Sequence, residues 1–217
     1  HPLSTRTEVP RAWPSAIRQR VRNDHPLLAT LELGAGAVRV PVSDLEDPFL
    51  GSRIDILREE GVDVVATVLW DETQDVSALI ERNASRVDTW EWQLVGTDKP
   101  TETQLELLGR FQVAGLDQTL SAVVPGETVA GKQHPRTRSG FRLDELLDLN
   151  SRLAAADVVL GRVACRLAPG PRLVEELPLL IDASRLGSIS SVDWQLELDG
   201  ADDRQSAEWA LMSLSAI

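Results

Sequence analysis

The sequence predicts an α/β protein: a parallel (β/α) barrel of the TIM type, incomplete, with six clear strands. Three observations predict it. Apolar segments of strand length alternate with segments of helical period along most of the chain. Two look-alike strands, residues 89–94 and 192–198, alternate acids and amides with Trp and Leu, so each presents a polar face and an apolar face. No glycine-rich turn follows the first strand, as it does in doubly wound nucleotide-binding sheets; Gly34-Ala35-Gly36 precedes that strand and reads as a helix stop.

The elements follow in order. Residues 15–33 read as a helix with Leu27, Leu28 and Leu31 on its apolar side, and a strand follows at 38–42. Residues 49–60 form a helix through Ile54, Ile56 and Leu57, capped by Gly61, and the apolar run 62–70 is a buried strand. Helix 76–86 then precedes strand 88–95, helix 102–113 ends at Gly115 before strand 118–124, and helix 143–156 precedes strand 158–167. Helix 173–186 precedes strand 191–198, and a last helix runs from Arg204. A helix after each strand predicts right-handed crossovers and a parallel sheet. Residues 1–26 read as an N-terminal segment, the tail of a preceding domain, and 27–217 as the barrel-like domain.

Composition excludes several function classes. A net charge of −12 and the lack of any long Lys/Arg cluster argue against nucleic acid and against an anionic membrane surface. No apolar run approaches the roughly 20 residues that span a bilayer, and no signal pattern opens the chain, which predicts a cytoplasmic protein. Cys165 is the single cysteine, so no intrachain disulfide forms. His1, His25 and His134 are scattered without ligand spacing, so no metal and no cofactor are predicted. The start at His1 rather than Met is read as a sign of a longer or processed polypeptide.

If the Val and Trp positions face the outer helices, alternation assigns the inward set: Arg39, Thr67, Glu91, Gln93, Thr119, Ser121, Arg162, Arg166, Asp193, Gln195 and Glu197. Buried acids and arginines on one face are expected to pair, because a buried charge without a partner costs several kcal/mol. Such a network is a structural floor or a binding site. Residues 126–140, with Lys132, His134, Arg136 and Arg138, form the one basic loop and could hold an anionic group. The strand ends also offer Ser43, Asp44 and Asp71.

The run Leu33-Gly34-Ala35-Gly36-Ala37-Val38-Arg39-Val40-Pro41-Val42-Ser43 resembles the second-strand region of the clan A glycoside hydrolases, which are (β/α)₈ barrels. Residues 61–68 look like their third strand, Trp90-Glu91-Trp92 like the fourth, and 193–198 like the seventh. The resemblance implies a hydrolase acting on a carbohydrate or another small polyhydroxylated molecule, with Glu197 at the nucleophile position. That family's acid/base position falls on Leu94 and Val95 here, so Glu91 is expected to stand in. A retaining mechanism needs the two carboxyls about 5–5.5 Å apart. Arg39, Gln93, Arg162, Asp193, Gln195 and Arg136 are the expected ligand-binding residues, and Trp70 or Trp92 a stacking face.

By the same comparison the six strands are the second to the seventh, and the missing first and eighth leave one open seam. Closure is expected from the N-terminal segment, from a second copy of the chain, or from further domains. Two other readings stand beside the hydrolase. One is a non-catalytic barrel module whose polar interior is an ion-pair network. The other is an isomerase or lyase that binds an anion at the basic loop.

Overall fold

The computed structural model describes residues 6–10, 18–22, 24–71, 74–126, 137–167 and 186–196. It opens with an antiparallel hairpin, β1 (Arg6–Pro10) on β2 (Arg18–Arg22), pairing Arg6 with Arg22. The helix expected over 15–33 is therefore limited to α1 (His25–Glu32). Pro26 explains the late start: proline fits the first turn of a helix, whereas in its interior it removes a hydrogen bond and clashes with the preceding turn.

Next come β3 (Ala37–Pro41), α2 (Val42–Glu46), α3 (Pro48–Glu59), β4 (Asp63–Trp70), α4 (Val76–Asn83) and β5 (Thr89–Val95). They are followed by α5 (Glu102–Val113), β6 (Gln118–Pro125), β7 (Thr137–Ser139), α6 (Leu143–Ala155), β8 (Leu160–Leu167) and β9 (Ile189–Leu196). The expected helices at 173–186 and from Arg204 lie outside the described residues. The strands form a seven-stranded sheet in the order β3-β4-β5-β6-β8-β9, with β7 beside β6. This order follows the chain without reversal, so the sheet has no switch point of the doubly wound kind. Among the described residues the sheet is open. One strand departs from the expected parallel arrangement: β7 runs antiparallel to β6.

The chain divides into two compact units, residues 1–68 with 75–90, and 69–74 with 91–217. In the first, β3 and β4 pair in parallel with Arg39 opposite Val65. Val64, Ala66 and Val68 of β4 are fully buried, as are Ile54 and Leu57 of α3. Asp47 caps α3 by accepting from the Phe49 and Leu50 amides at 2.8 and 3.0 Å. Asp88 ties the end of the unit to β4, its Oδ2 accepting the Val64 amide at 2.8 Å.

In the second unit the Trp92 ring lies 5.4 Å from Trp70 and 5.3 Å from Phe111 of α5. Its indole N–H donates to Gln118 Oε1 at 3.2 Å, and Gln118 Nε2 donates to the Leu108 carbonyl of α5 at 3.0 Å. One amide therefore satisfies a buried indole and ties β6 to α5. A capping box of Thr101 and Gln104 starts α5.

β6 and β8 pair directly at Thr119 with Arg162 and Leu120 with Val163. Beyond that point the segment 137–141 enters between them. Gly140 N donates to the Ala122 carbonyl, Phe141 N to the Ala164 carbonyl, and Arg166 N to the Phe141 carbonyl, each at 2.8 Å. Part of the expected basic loop is thus ordered ladder at the C-terminal ends of the strands.

Candidate ligand-binding site

The face opposite the helices is set residue by residue. Trp92 packs on Phe111 of α5, so Glu91 and Gln93, one position to either side of it, point away from that helix. Gln118 bonds to α5, so Thr119 and Ser121 occupy the other face of β6. Register carries this face onward, because Thr119 opposes Arg162, Arg162 opposes Ser191, Ala164 opposes Asp193, and Arg166 opposes Gln195. Glu91, Gln93, Thr119, Ser121, Arg162, Arg166, Asp193 and Gln195 therefore share one face within the second unit. Trp70 and Trp92, proposed above as stacking surfaces, are instead core: both are almost wholly buried, and they pack on each other on the helix side.

Glu91 is completely buried, and Gln93 Nε2 donates to its Oε1 at 2.9 Å. Ser121 is buried as completely, and among the described residues neither its hydroxyl nor that of Ser139 has a hydrogen-bond partner. Ser139 opposes Val123 in the β6–β7 ladder, which places it on the face of Ser121.

The arginines find partners at the strand ends. Arg162 forms an ion pair with Asp117, just before β6. Arg166 donates through Nη1 to the Gly140 carbonyl, and its Nη2 stands 4.0 Å from Glu145 Oε1 in the first turn of α6. Neither Asp117 nor Glu145 was among the expected partners. Asp117 lies two residues before Thr119, so extending the alternation by one step would have found it; Glu145 reaches the site only through the fold of 137–145.

The other expected residues are placed as follows. Arg39 is exposed on β3 of the first unit, on the face it shares with Val65. Arg136 and Glu197 lie outside the described residues, so the Glu91–Glu197 separation has no value here. Leu94 is buried on the helix side with Trp92, and Val95 is half-exposed at the end of β5. In the first unit, Asp44 of α2 is nearly buried directly after β3, and this burial, followed by the charge of Asp47, pushes its carboxyl above the usual range.

No family model matches the chain, and no curated protein matches it in sequence. Among solved structures it is similar to the dehydroquinate dehydratase and shikimate dehydrogenase AroM from S. pombe, at 12% identity and a TM-score of 0.35, over 85% of this chain and 38% of that one. A likeness at this level decides neither fold nor activity.

Among the described residues no group of three His, Cys, Asp or Glu side chains could hold a metal ion, and no helix is long and apolar enough to cross a membrane. A groove of about 580 Å³ opens between α5 and the end of α6, lined by Leu105, Gly109, Val113 and Val158. It belongs to the helix side and not to the polar face. What the polar face offers chemically is a buried carboxyl held by an amide, two hydroxyls able to donate and accept, and a guanidinium. Such a set can hydrogen-bond to hydroxyl groups and pair with an anion.

Proposed function

We propose that this chain is an incomplete (β/α) barrel-type domain whose polar sheet face binds a small polyhydroxylated molecule, with Glu91 and Glu197 as the carboxyl pair of a glycoside hydrolase-like reaction. The observation that carries the reading is the fully buried pair Glu91 and Ser121, with half-buried Gln93 bonded to Glu91, on a single face of the sheet. A buried hydroxyl without a partner costs about 1–3 kcal/mol, and a ligand hydroxyl returns that energy on binding. In the reaction, Glu197 attacks the anomeric carbon while Glu91, as general acid, gives a proton to the departing oxygen; water then releases the sugar from Glu197, with Glu91 as the base that takes its proton.

The test joins binding to turnover. Monosaccharides at a hundredfold excess over their Kd stabilise the fold by about 2.7 kcal/mol, which thermal unfolding reads directly. Hydrolysis of aryl glycosides should be lost in Glu197→Gln and in Glu91→Gln, with folding retained. Unchanged turnover in Glu197→Gln on a confirmed substrate ends the hydrolase reading.

A second reading, a non-catalytic module of a larger protein or assembly, is favoured by a different observation. Leu94 and Val95 stand where the resembled family keeps its acid/base, and the structure engages Arg162 and Arg166 with Asp117, Gly140 and Glu145 at the strand ends. It predicts no turnover in the unmodified chain and unchanged stability in the presence of sugars. In either reading the open seam is expected to be closed by the N-terminal segment, by further chain or by a second copy, and the mass of the chain in solution by light scattering tests the last of these.

A further inference from the structure

We infer that Arg166, together with the hydroxyls of Ser139 and Ser121, forms a subsite for a single carboxylate group, so that the molecule held on the polar face is a hydroxylated acid and not a neutral sugar. The inference rests on the small-molecule site proposed above and narrows its ligand. The Arg166 side chain is only 9% exposed, and a guanidinium so largely covered favours an anion in contact. The structure supplies less than that. Nη1 donates to the neutral carbonyl of Gly140, and the Glu145 carboxylate is 4.0 Å from Nη2, beyond hydrogen-bond range.

Glu145 is already committed elsewhere. Its Oε2 accepts the Arg142 amide at 2.7 Å, closing the cap of α6, and its Oε1 lies 3.5 Å from Arg142 Nε. Among the described residues, Nε and Nη2 of Arg166 have no hydrogen-bond acceptor within range. These two donors form one edge of the planar fork, the geometry that takes both oxygens of a carboxylate at once.

The two serines lie on the face of the sheet that carries Arg166. Ser139 adjoins Gly140, whose carbonyl Arg166 holds, and Ser121 stands two residues before Val123, the ladder partner of Ser139, on the same face. Both hydroxyls are buried and unpartnered among the described residues, so each has a proton to give an oxyanion. The charge balance favours one negative charge. A phosphate dianion would face a single guanidinium, with Glu145 4.0 Å from it, in a chain of net charge −12.

The test compares D-glucuronate and D-galacturonate with D-glucose and D-galactose, and with inorganic phosphate, by calorimetric titration of the full chain at low ionic strength. The expected result is that an acid binds at least about tenfold tighter than its neutral counterpart, as a charge-assisted fork requires. Arg166→Lys should weaken acid binding by roughly ten- to a hundredfold, and Arg166→Gln should abolish the preference. Because Arg166 is buried, Ser139→Ala guards against a folding artefact: its Tm without ligand should hold or rise, since it removes an unsatisfied hydroxyl, while acid binding falls several-fold. Neutral sugars binding as well as the acids would overturn the subsite and leave the proposed site standing. Binding of no probe would overturn both. Phosphate binding tighter than either acid, in an Arg166-dependent way, would overturn the carboxylate assignment, as would a full preference for acids in Arg166→Lys and Ser139→Ala.

Discussion

Gly140 has φ +88°, and a Cβ there would stand 3.1 Å from the Arg166 amide and 3.3 Å from the Ala164 carbonyl. The left-handed backbone alone costs a non-glycine residue about 1–3 kcal/mol, and the contact with two backbone groups adds to it. Gly140→Ala is therefore expected to lose roughly 2–4 kcal/mol in urea unfolding; a loss below 1 kcal/mol would mean that the segment 137–141 does not enter the sheet as described. Asp44 gives the clearest pH prediction. Burial raises its carboxyl in the folded protein, so the folded state keeps a proton that the unfolded chain releases from about pH 3.9 upward. Stability from this residue therefore falls as pH rises through the window between the unfolded and the raised folded value. Asp44→Asn removes that fall, and its urea midpoint should decline less than that of the unmodified chain above about pH 4. Superimposable pH profiles would exclude it.

Among the elements, α5 and α3 were legible because their ends carry local chemistry: Gly115 after α5 and Gly61 after α3, each with positive φ. The N-cap of α3 predicts a magnitude. Asp47→Ala leaves two first-turn amides of α3 without their acceptor and should cost about 1 kcal/mol. Trp92→Phe removes the donor from buried Gln118 Oε1 and opens space beside Phe111, a loss of roughly 2–3 kcal/mol by urea unfolding. The polar face was legible for a similar reason, since period-two alternation needs no knowledge of neighbours: all eight polar positions assigned inward on β5, β6, β8 and β9 share it. What was not legible depends on register or on short elements. Arg18–Arg22 was read as helix because a basic run with one Val carries no period of either kind, and α2 spans five residues, too few for a helical pattern. β7 is three residues long and is specified by its pairing with β6 and not by its own sequence. The partner of Arg166 was missed with it, because Glu145 meets Arg166 only once 137–141 has entered between β6 and β8.

For the whole molecule, the division into two units poses the question of whether they unfold together. β4 supplies residues 63–68 to the first unit and 69–70 to the second, while β5 supplies 89–90 to the first and 91–95 to the second. A strand cannot lose half its ladder without fraying the other half, and each of these strands carries a buried Trp whose ring contact lies in the second unit. We expect one cooperative transition, with far-UV circular dichroism and Trp fluorescence coinciding within error. The two caps make the test sharper. Asp47 belongs to the first unit and Thr101 to the second, so in a single transition Asp47→Ala and Thr101→Ala each lower the common midpoint, and the double variant lowers it by the sum, since the sites share no partner. Two transitions, one moved only by Asp47→Ala and the other only by Thr101→Ala, would show instead that the strands are divided at the boundary and that the polar face of the second unit folds without the first.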